Sequence, residues 1–187
     1  MPVPSREEAL ALFLEHNRSD SLIKHALAVE AAMRTYARRF GEDESTWAIT
    51  GLLHDIDYEE HPTLDEHPAV GGKMLEDKGF PQEIVYAIRA HGEHLGLERK
   101  SPMDKALYAV DELTGFITAV ALVRPSKSIM DVEPSSVKKK MKDKAFARAV
   151  DREQMTKSAE ALGVPFDEHV AIVIKAMQSI ADELGLR

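Results

Sequence analysis

The sequence of 187 residues contains no cysteine and no hydrophobic run long enough to cross a bilayer. Without cysteine, the chain cannot form disulfides, thiolate zinc sites, iron–sulfur clusters or a cysteine nucleophile. Because no apolar run reaches about 18 residues, we expect no membrane partner. The N-terminal residues lack the apolar stretch of a secretory signal, so a cytoplasmic location is expected.

Positive charge is also in short supply. Lysine and arginine total 24 against 32 acidic residues, which gives a net charge of −8. Residues 41–68 hold nine acids and no lysine or arginine, whereas residues 124–157 hold ten basic and five acidic residues. Nucleic-acid binding requires a basic footprint, so an acidic body makes nucleic acid an unexpected partner. The basic segment is interpreted first as a solvated helix face, with a phosphate contact or a homo-oligomer contact as alternatives.

Helical signals recur along the whole chain, and alternating patterns typical of strands are absent. Helices are predicted after the capping box Ser5–Glu8, from Ser19 or Asp20 to Gly41, over 44–55, from Pro68 to before Gly79, after Pro81, from Ser101 through Val123, after Ser135, from Asp151 to Gly163, and from Asp167 through Ile180. The prediction is an all-α single domain over 1–187, with a core at about 20–123 and a helical extension at 124–187.

The first candidate functional residues are His54 and Asp55, which end an apolar predicted helix after Leu52 and Leu53. A carboxylate and an imidazole buried there cost several kcal/mol unless a positive group neutralises them. Since residues 41–68 contain no lysine or arginine, a metal ion is the simplest positive group that could neutralise them.

Two more ligand types lie on neighbouring apolar helices. His25 lies between apolar residues of the second helix, and Asp111 interrupts the apolar run 106–113. Two imidazoles and two carboxylates suit Mn, Fe, Co, Ni, Zn or Mg and do not select one of them.

These residues resemble the HD superfamily of metal-dependent phosphohydrolases. The order His…His-Asp…Asp is that of the superfamily, and AITGLLHDID at 48–57 resembles the GLLHDIG core of its HDIG branch. HPAVGG at 67–72 is similar to the HPxxG that follows in two-metal members, and AIRAH at 87–91 to their next histidine. The resemblance covers about 20–123.

The resemblance implies one or two divalent ions held by six residues: His25, His54, Asp55, His67, His91 and Asp111. With Asp55 and Asp111 as the carboxylates, one ion gives a neutral site and two leave +2, which attracts phosphate; Asp55 is the expected bridge. His54 and Asp55 would then be catalytic, through a metal-activated water. Activity should fall below roughly pH 6, because the histidines must be neutral to bind.

The implied function is hydrolysis of a nucleotide or another small phosphoester. A diiron oxygenase of the same superfamily and a non-catalytic module that binds metal and nucleotide are the alternatives. His61, which also precedes a proline, is the fallback for His67.

The sequence departs from the HDIG pattern after Ile56, where Asp57-Tyr58 replaces glycine and the frequent phosphate-binding lysine. The candidate substrate contacts are therefore taken from elsewhere: Lys73, Arg89, His94, Arg124 and Lys127. The last two reach the metals only if the chain reverses after Pro125.

Other chemistry-bearing residues are given lesser roles. Glu93 and Glu112 are interpreted as solvated, with an acid or base role as the alternative, and Asp57 and Tyr58 as lining the mouth of the site. His16 and His169 are predicted to lie on the surface.

Overall fold

The structure is a computed structural model that describes residues 3–187. The described chain is all-α. Its helices are α1 (Arg6–His16), α2 (Asp20–Phe40), α3 (Glu44–Leu53), α4 (Ala69–Asp77), α5 (Gln82–His91), α6 (Pro102–Leu122), α7 (Pro134–Met141), α8 (Arg152–Leu162), α9 (Phe166–Gln178) and α10 (Ala181–Leu184), with short 3₁₀ turns at 93–95 and 129–131. In this described part, no helix has the length and apolarity needed to traverse a bilayer.

The long helices α2 and α6 form the centre. α2 packs against α3 and α6, while α6 also packs against α5 and α8. Gly51 allows α3 to approach α2 closely, because a Cβ there would lie 2.9 Å from the Met33 side chain and 3.0 Å from the Val29 carbonyl oxygen. The glycine before Leu52-Leu53-His54 therefore sets the spacing between the helices that carry His25 and His54.

Most predicted helix boundaries are confirmed by their caps. Ser5 and Glu8 form the capping box of α1, and Ser101 and Asp104 form that of α6. Gly41 ends α2 in the left-handed conformation, with φ of 71°. A capping box satisfies two otherwise unpaired amide groups, which is why these starts are readable from sequence.

Other boundaries differ from the prediction. Pro68 precedes α4 instead of lying in its first turn, and Ser135 lies inside α7, whose N-cap is Glu133. The last predicted helix is two helices, because α9 starts at Phe166 and Ile180 lies between α9 and α10. Proline at the first or second position of α7 fits because it needs no amide proton there.

His169 is fully buried, so its predicted surface position is wrong. Its Nε2 donates to the Ala109 carbonyl at 2.9 Å, and its Nδ1 accepts from the Tyr36 hydroxyl at 2.5 Å. Burial lowers the pKa of His169, although the Ala109 carbonyl opposes that shift. This ring therefore joins α9 to both central helices as a neutral hydrogen-bonding group.

Candidate metal centre

The six predicted ligands come together from five places in the fold. They are His25 on α2, His54 and Asp55 just after α3, His67 just before α4, His91 at the end of α5 and Asp111 in the middle of α6. Their donor atoms form three overlapping groups, each with all atoms within 4.8 Å of one another. Residues far apart in sequence thus converge on one point among helices α2 to α6.

The carboxylate of Asp55 lies at the centre of the cluster. Its Oδ2 is 3.6 Å from Nε2 of His25 and 3.2 Å from Nε2 of His54. Its Oδ1 is 3.4 Å from Nε2 of His67 and 3.6 Å from Nε2 of His91. Each carboxylate oxygen therefore faces a different pair of histidines, as a bridging carboxylate does.

Two sets of donors can be defined from this arrangement. The first ligand set is His25, His54, Asp111 and Oδ2 of Asp55; the Asp111 Oδ1 lies 2.9 Å from His25 Nε2 and 3.5 Å from His54 Nε2. The second ligand set is His67, His91 and Oδ1 of Asp55, and the two imidazole Nε2 atoms are 3.2 Å apart. Donors about 2.9–3.6 Å apart are what an ion with bonds of about 2.0–2.2 Å requires between neighbouring ligands. The residues present therefore fit a divalent ion.

Backbone carbonyls fix the orientation of two of the histidines. Nδ1 of His54 donates to the Gly51 carbonyl at 2.7 Å, and Nδ1 of His91 donates to the Ile88 carbonyl at 2.5 Å. Because a carbonyl only accepts, the proton of each neutral ring is held at Nδ1 and the Nε2 lone pair faces the cluster. Nε2 of His54 is buried and has no hydrogen-bond partner in the described structure, so it is an unpaired polar atom aimed at the candidate ion site.

Asp57 orients His67, the third of the histidines. The sequence pattern predicts that Asp57 lines the mouth of the site. It is fully buried rather than at the mouth of the site. Its Oδ1 accepts from Nδ1 of His67 at 2.8 Å, and its Oδ2 accepts from the Gly71 amide at 2.6 Å. A Cβ on Gly71 would lie 2.9 Å from the Asp57 carboxyl carbon, so this contact needs glycine. In the sequence, the only indication of this role was that Asp57 stands where the HDIG pattern has glycine.

The charges of the cluster act strongly on one another. Burial opposes ionisation of Asp55 and Asp111, but the neighbouring histidines outweigh it and hold the pKa of both carboxyls well below the ordinary value. Burial also opposes protonation of His54, yet Asp55 and Asp111 raise its pKa well above the ordinary value. The cluster therefore stabilises positive charge, whether carried by protons on its histidines or by a metal cation.

The cluster opens into a cavity of about 460 Å³, here called the metal pocket. Tyr58, His94 and Glu112 contribute to its wall, so His94 lines the same cavity as the candidate ligands, and its contact with a substrate stays a prediction. Glu112 is half-buried, not solvated; burial first and Asp111 second raise its pKa to about 7. His61, the alternative to His67, does not line the metal pocket and pairs with Glu66 at 3.0 Å. His67, in contrast, lies in the cluster.

The four cations considered for the substrate are not brought to the metal pocket. Lys73 pairs with Asp77, one turn along α4, and Arg89 pairs with Glu76 at 2.9 Å. The guanidinium of Arg124 donates to Ser136, so the chain does not return it to the cluster, and Lys127 is exposed. The C-terminal region instead contributes Val150 and Gln154 to the pocket wall.

Comparison with known proteins identifies the family to which this arrangement corresponds. The family model for the HD domain matches residues 22–115. Ribonuclease Y of Desulfotalea psychrophila is 34% identical over 96 residues, which are 51% of this chain and 18% of that protein. Ribonuclease Y of Oleidesulfovibrio alaskensis is 30% identical over 98 residues, which are 52% and 18% of the two chains. The chain thus spans under a fifth of the length of these curated relatives. No solved structure matches it significantly.

Proposed function

This chain belongs to the HD domain family, and from that premise we propose that it is a metal-dependent phosphohydrolase acting on a nucleotide or another small phosphoester. The observation that carries the proposal is the position of Asp55, whose two oxygens face separate pairs of histidines. Such a carboxylate is suited to hold two cations close together. We also propose that residues 20–123 form the metal-binding core, with 124–187 as its helical extension.

The chain's own residues define the proposed site. The first and second ligand sets would each hold one divalent ion, with Asp55 shared between them. A divalent ion supplies Lewis acidity and lowers the pKa of a bound water, the chemistry that phosphoester hydrolysis requires. Two carboxylates and two divalent ions leave a net charge of +2, so the site attracts an anionic phosphate.

Residues on the wall would orient the substrate. His94 and Tyr58 lie at the metal pocket, where imidazole and phenol groups can donate hydrogen bonds to phosphate oxygens. The ring of Tyr58 also packs edge-on against His67, with centroids 5.0 Å apart. We therefore assign these two side chains to substrate contact and not to metal binding.

The test is a metal-reconstitution screen. Purified protein is stripped with a chelator, reloaded separately with Mn²⁺, Fe²⁺, Co²⁺, Ni²⁺, Zn²⁺ or Mg²⁺, and assayed with bis(p-nitrophenyl) phosphate, nucleotides and dinucleotides. Because the curated relatives are ribonucleases by name, dinucleotides of RNA belong in the screen despite the acidic net charge. Metal content is measured on the same samples.

A matched histidine pair makes the screen specific to the cluster. His67→Ala removes a member of the second ligand set, whereas His61→Ala removes a histidine six residues away that pairs with Glu66 outside the metal pocket. We expect His67→Ala to lose turnover and bound metal and His61→Ala to keep both. Equal activity of the two variants, or an inert wild type with every metal and ester, would contradict the proposal.

The histidine and carboxylate donors also support a second candidate function. Histidines with carboxylates also suit iron, so a dioxygen-dependent oxygenase is the alternative enzyme. Oxygen consumption by the iron-loaded protein, without phosphate release, would establish that alternative. Tight binding of metal and nucleotide with neither reaction would indicate the non-catalytic module.

A further inference from the structure

The wall of the metal pocket lacks cationic side chains. Among residues 3–187, no lysine or arginine lines it. A phosphoester substrate carries oxygens and charges that lie beyond the reach of the ligand cluster, and proteins usually hold these with arginine or lysine. The missing cations should therefore be sought where a bound substrate would extend.

A second cavity adjoins the metal pocket and supplies such a place. This side cavity has a volume of about 510 Å³, and its wall shares Glu93, Tyr108 and Gln154 with the metal pocket. Its size is in the usual range for small-molecule sites. The two cavities therefore meet at Tyr108, so a ligand anchored at the ligand cluster would reach the side cavity along this shared wall.

Two cations of the side cavity are free of carboxylate partners in the described structure. Arg99 stacks on the Tyr108 ring, 3.6 Å from its centroid, and one of its nitrogens donates to the Ala90 carbonyl at 3.0 Å. These contacts fix the guanidinium while leaving further N–H groups to donate. Lys105 is half-buried and, within residues 3–187, forms no ion pair. Lys157, in contrast, is neutralised by Glu153 at 2.5 Å.

Helix α6 connects this pair of cations to the metal pocket. Lys105, Tyr108 and Glu112 lie at positions i, i+3 and i+7 and share one face of the helix. Lys105 lines the side cavity, Glu112 lines the metal pocket and Tyr108 lines both. The seven residues between the two ends correspond to about 10 Å along the helix axis. One face of α6 therefore carries side chains into both cavities.

The carboxylates of the side cavity limit what can bind there. Asp151 accepts the backbone amides of Glu153 and Gln154 as the cap of α8, and Glu93 accepts the Tyr108 hydroxyl at 2.7 Å. These acids hold the wall together, but their charge disfavours a long polyanion. A compact ligand fits better, with one phosphate held by the two cations and with hydroxyl or amino groups that donate to the carboxylates.

We propose that the side cavity is a subsite for a second phosphate group of the substrate, bound by Arg99 and Lys105. The inference rests on the proposed phosphohydrolase function and narrows its substrate class to nucleotides with more than one phosphate. That phosphate belongs either to the polyphosphate chain of a nucleoside diphosphate or to the neighbouring unit of a short oligonucleotide.

The experiment compares substrates that differ by one phosphate. Steady-state kinetics of the metal-loaded protein are measured with the dinucleotide ApA, the 5′-phosphorylated pApA, and ADP. Lys105→Gln should raise KM for the two-phosphate substrates by about tenfold and leave ApA unchanged. Lys100→Gln, an exposed neighbour that lines neither cavity, is the control and should leave all three unchanged. Preference for pApA or for ADP identifies the source of the second phosphate.

Direct binding separates failure of the subsite from failure of the enzyme assignment. Calorimetric titration of the metal-loaded protein with AMP and ADP should show tighter binding of ADP, and Lys105→Gln and Arg99→Gln should abolish that preference. If no substrate is turned over, the proposed function fails while this binding ratio still decides the subsite. Unchanged ADP preference in both folded variants, verified by thermal melting, would overturn the proposal.

Discussion

Replacing Asp57 by Asn tests how this chain prepares His67 for a metal. The carboxylate accepts two hydrogen bonds, from Nδ1 of His67 and from the amide of Gly71. Asparagine has one accepting oxygen and one donating nitrogen, so it cannot satisfy both. If its oxygen stays with Gly71, its nitrogen faces His67 and forces the ring proton onto Nε2. That nitrogen then has no lone pair for the second ligand set.

The size of the effect follows from comparable metal sites. Loss of a partner that orients a metal-binding histidine typically reduces metal affinity by about 10- to 100-fold, or about 1.4–2.7 kcal/mol. The loss should be confined to the second ligand set, because Asp57 orients His67, a member of that set, whereas His54 of the first set is oriented by the Gly51 carbonyl, which the substitution leaves in place.

The assay has two readouts. A competition titration with a chromophoric chelator should show one weakened site and one unchanged site. Nitrogen NMR of the metal-free protein should show the His67 proton at Nδ1 in the wild type and at Nε2 in Asp57→Asn. Asp65→Asn, an exposed carboxylate in the same loop, is the control. Two unweakened sites with the His67 proton still at Nδ1 would refute the reasoning.

Three further predictions follow from contacts described above. Gly51→Ala should destabilise the fold by about 1–3 kcal/mol by overpacking against α2, whereas Gly115→Ala, where a Cβ meets nothing within 4 Å, should stabilise it by about 0.5–1 kcal/mol; equal denaturation midpoints for the two would contradict this. Tyr36→Phe should cost about 1–3 kcal/mol in thermal unfolding, because it leaves Nδ1 of His169 buried without a donor; a melting temperature like that of the wild type would be the opposing result. Because burial lowers the pKa of His169, its neutral form stabilises the fold above the unfolded pKa of about 6.5, and this stability is lost as the pH falls below that value; between pH 7 and 5 the wild type should lose up to about 2 kcal/mol more than His169→Gln in urea titrations, and parallel curves would argue against it.

Much of the fold was predictable because local rules decide it. The starts of α1 and α6 depend on capping boxes, and the end of α2 on Gly41, all within four residues of the boundary. The convergence of His25, His54, Asp55 and Asp111 was also readable, since acids and histidines on apolar helix faces must meet a partner inside. His67 and His91 were expected only from the resemblance to the HD superfamily. The roles of all six as ligands stay a prediction.

The remaining features depend on long-range contacts that no local pattern records. His169 is buried because Tyr36, 133 residues earlier, supplies its hydrogen bond. Asp57 is buried because the loop after α3 folds over α4, where helical periodicity gives no guidance. Arg89 was a reasonable substrate contact by sequence position, but Glu76 on the neighbouring helix binds it.

The contact between His25 and Asp111 joins residues 86 positions apart. A chain grows on the ribosome at about 5–20 residues per second, so roughly 4–17 s separate the synthesis of these two side chains. During that interval α2 and α3 can already pack, but the cluster lacks one of its two acids. Capture of a cation by the complete first ligand set, as proposed above, would therefore have to wait until α6 has emerged.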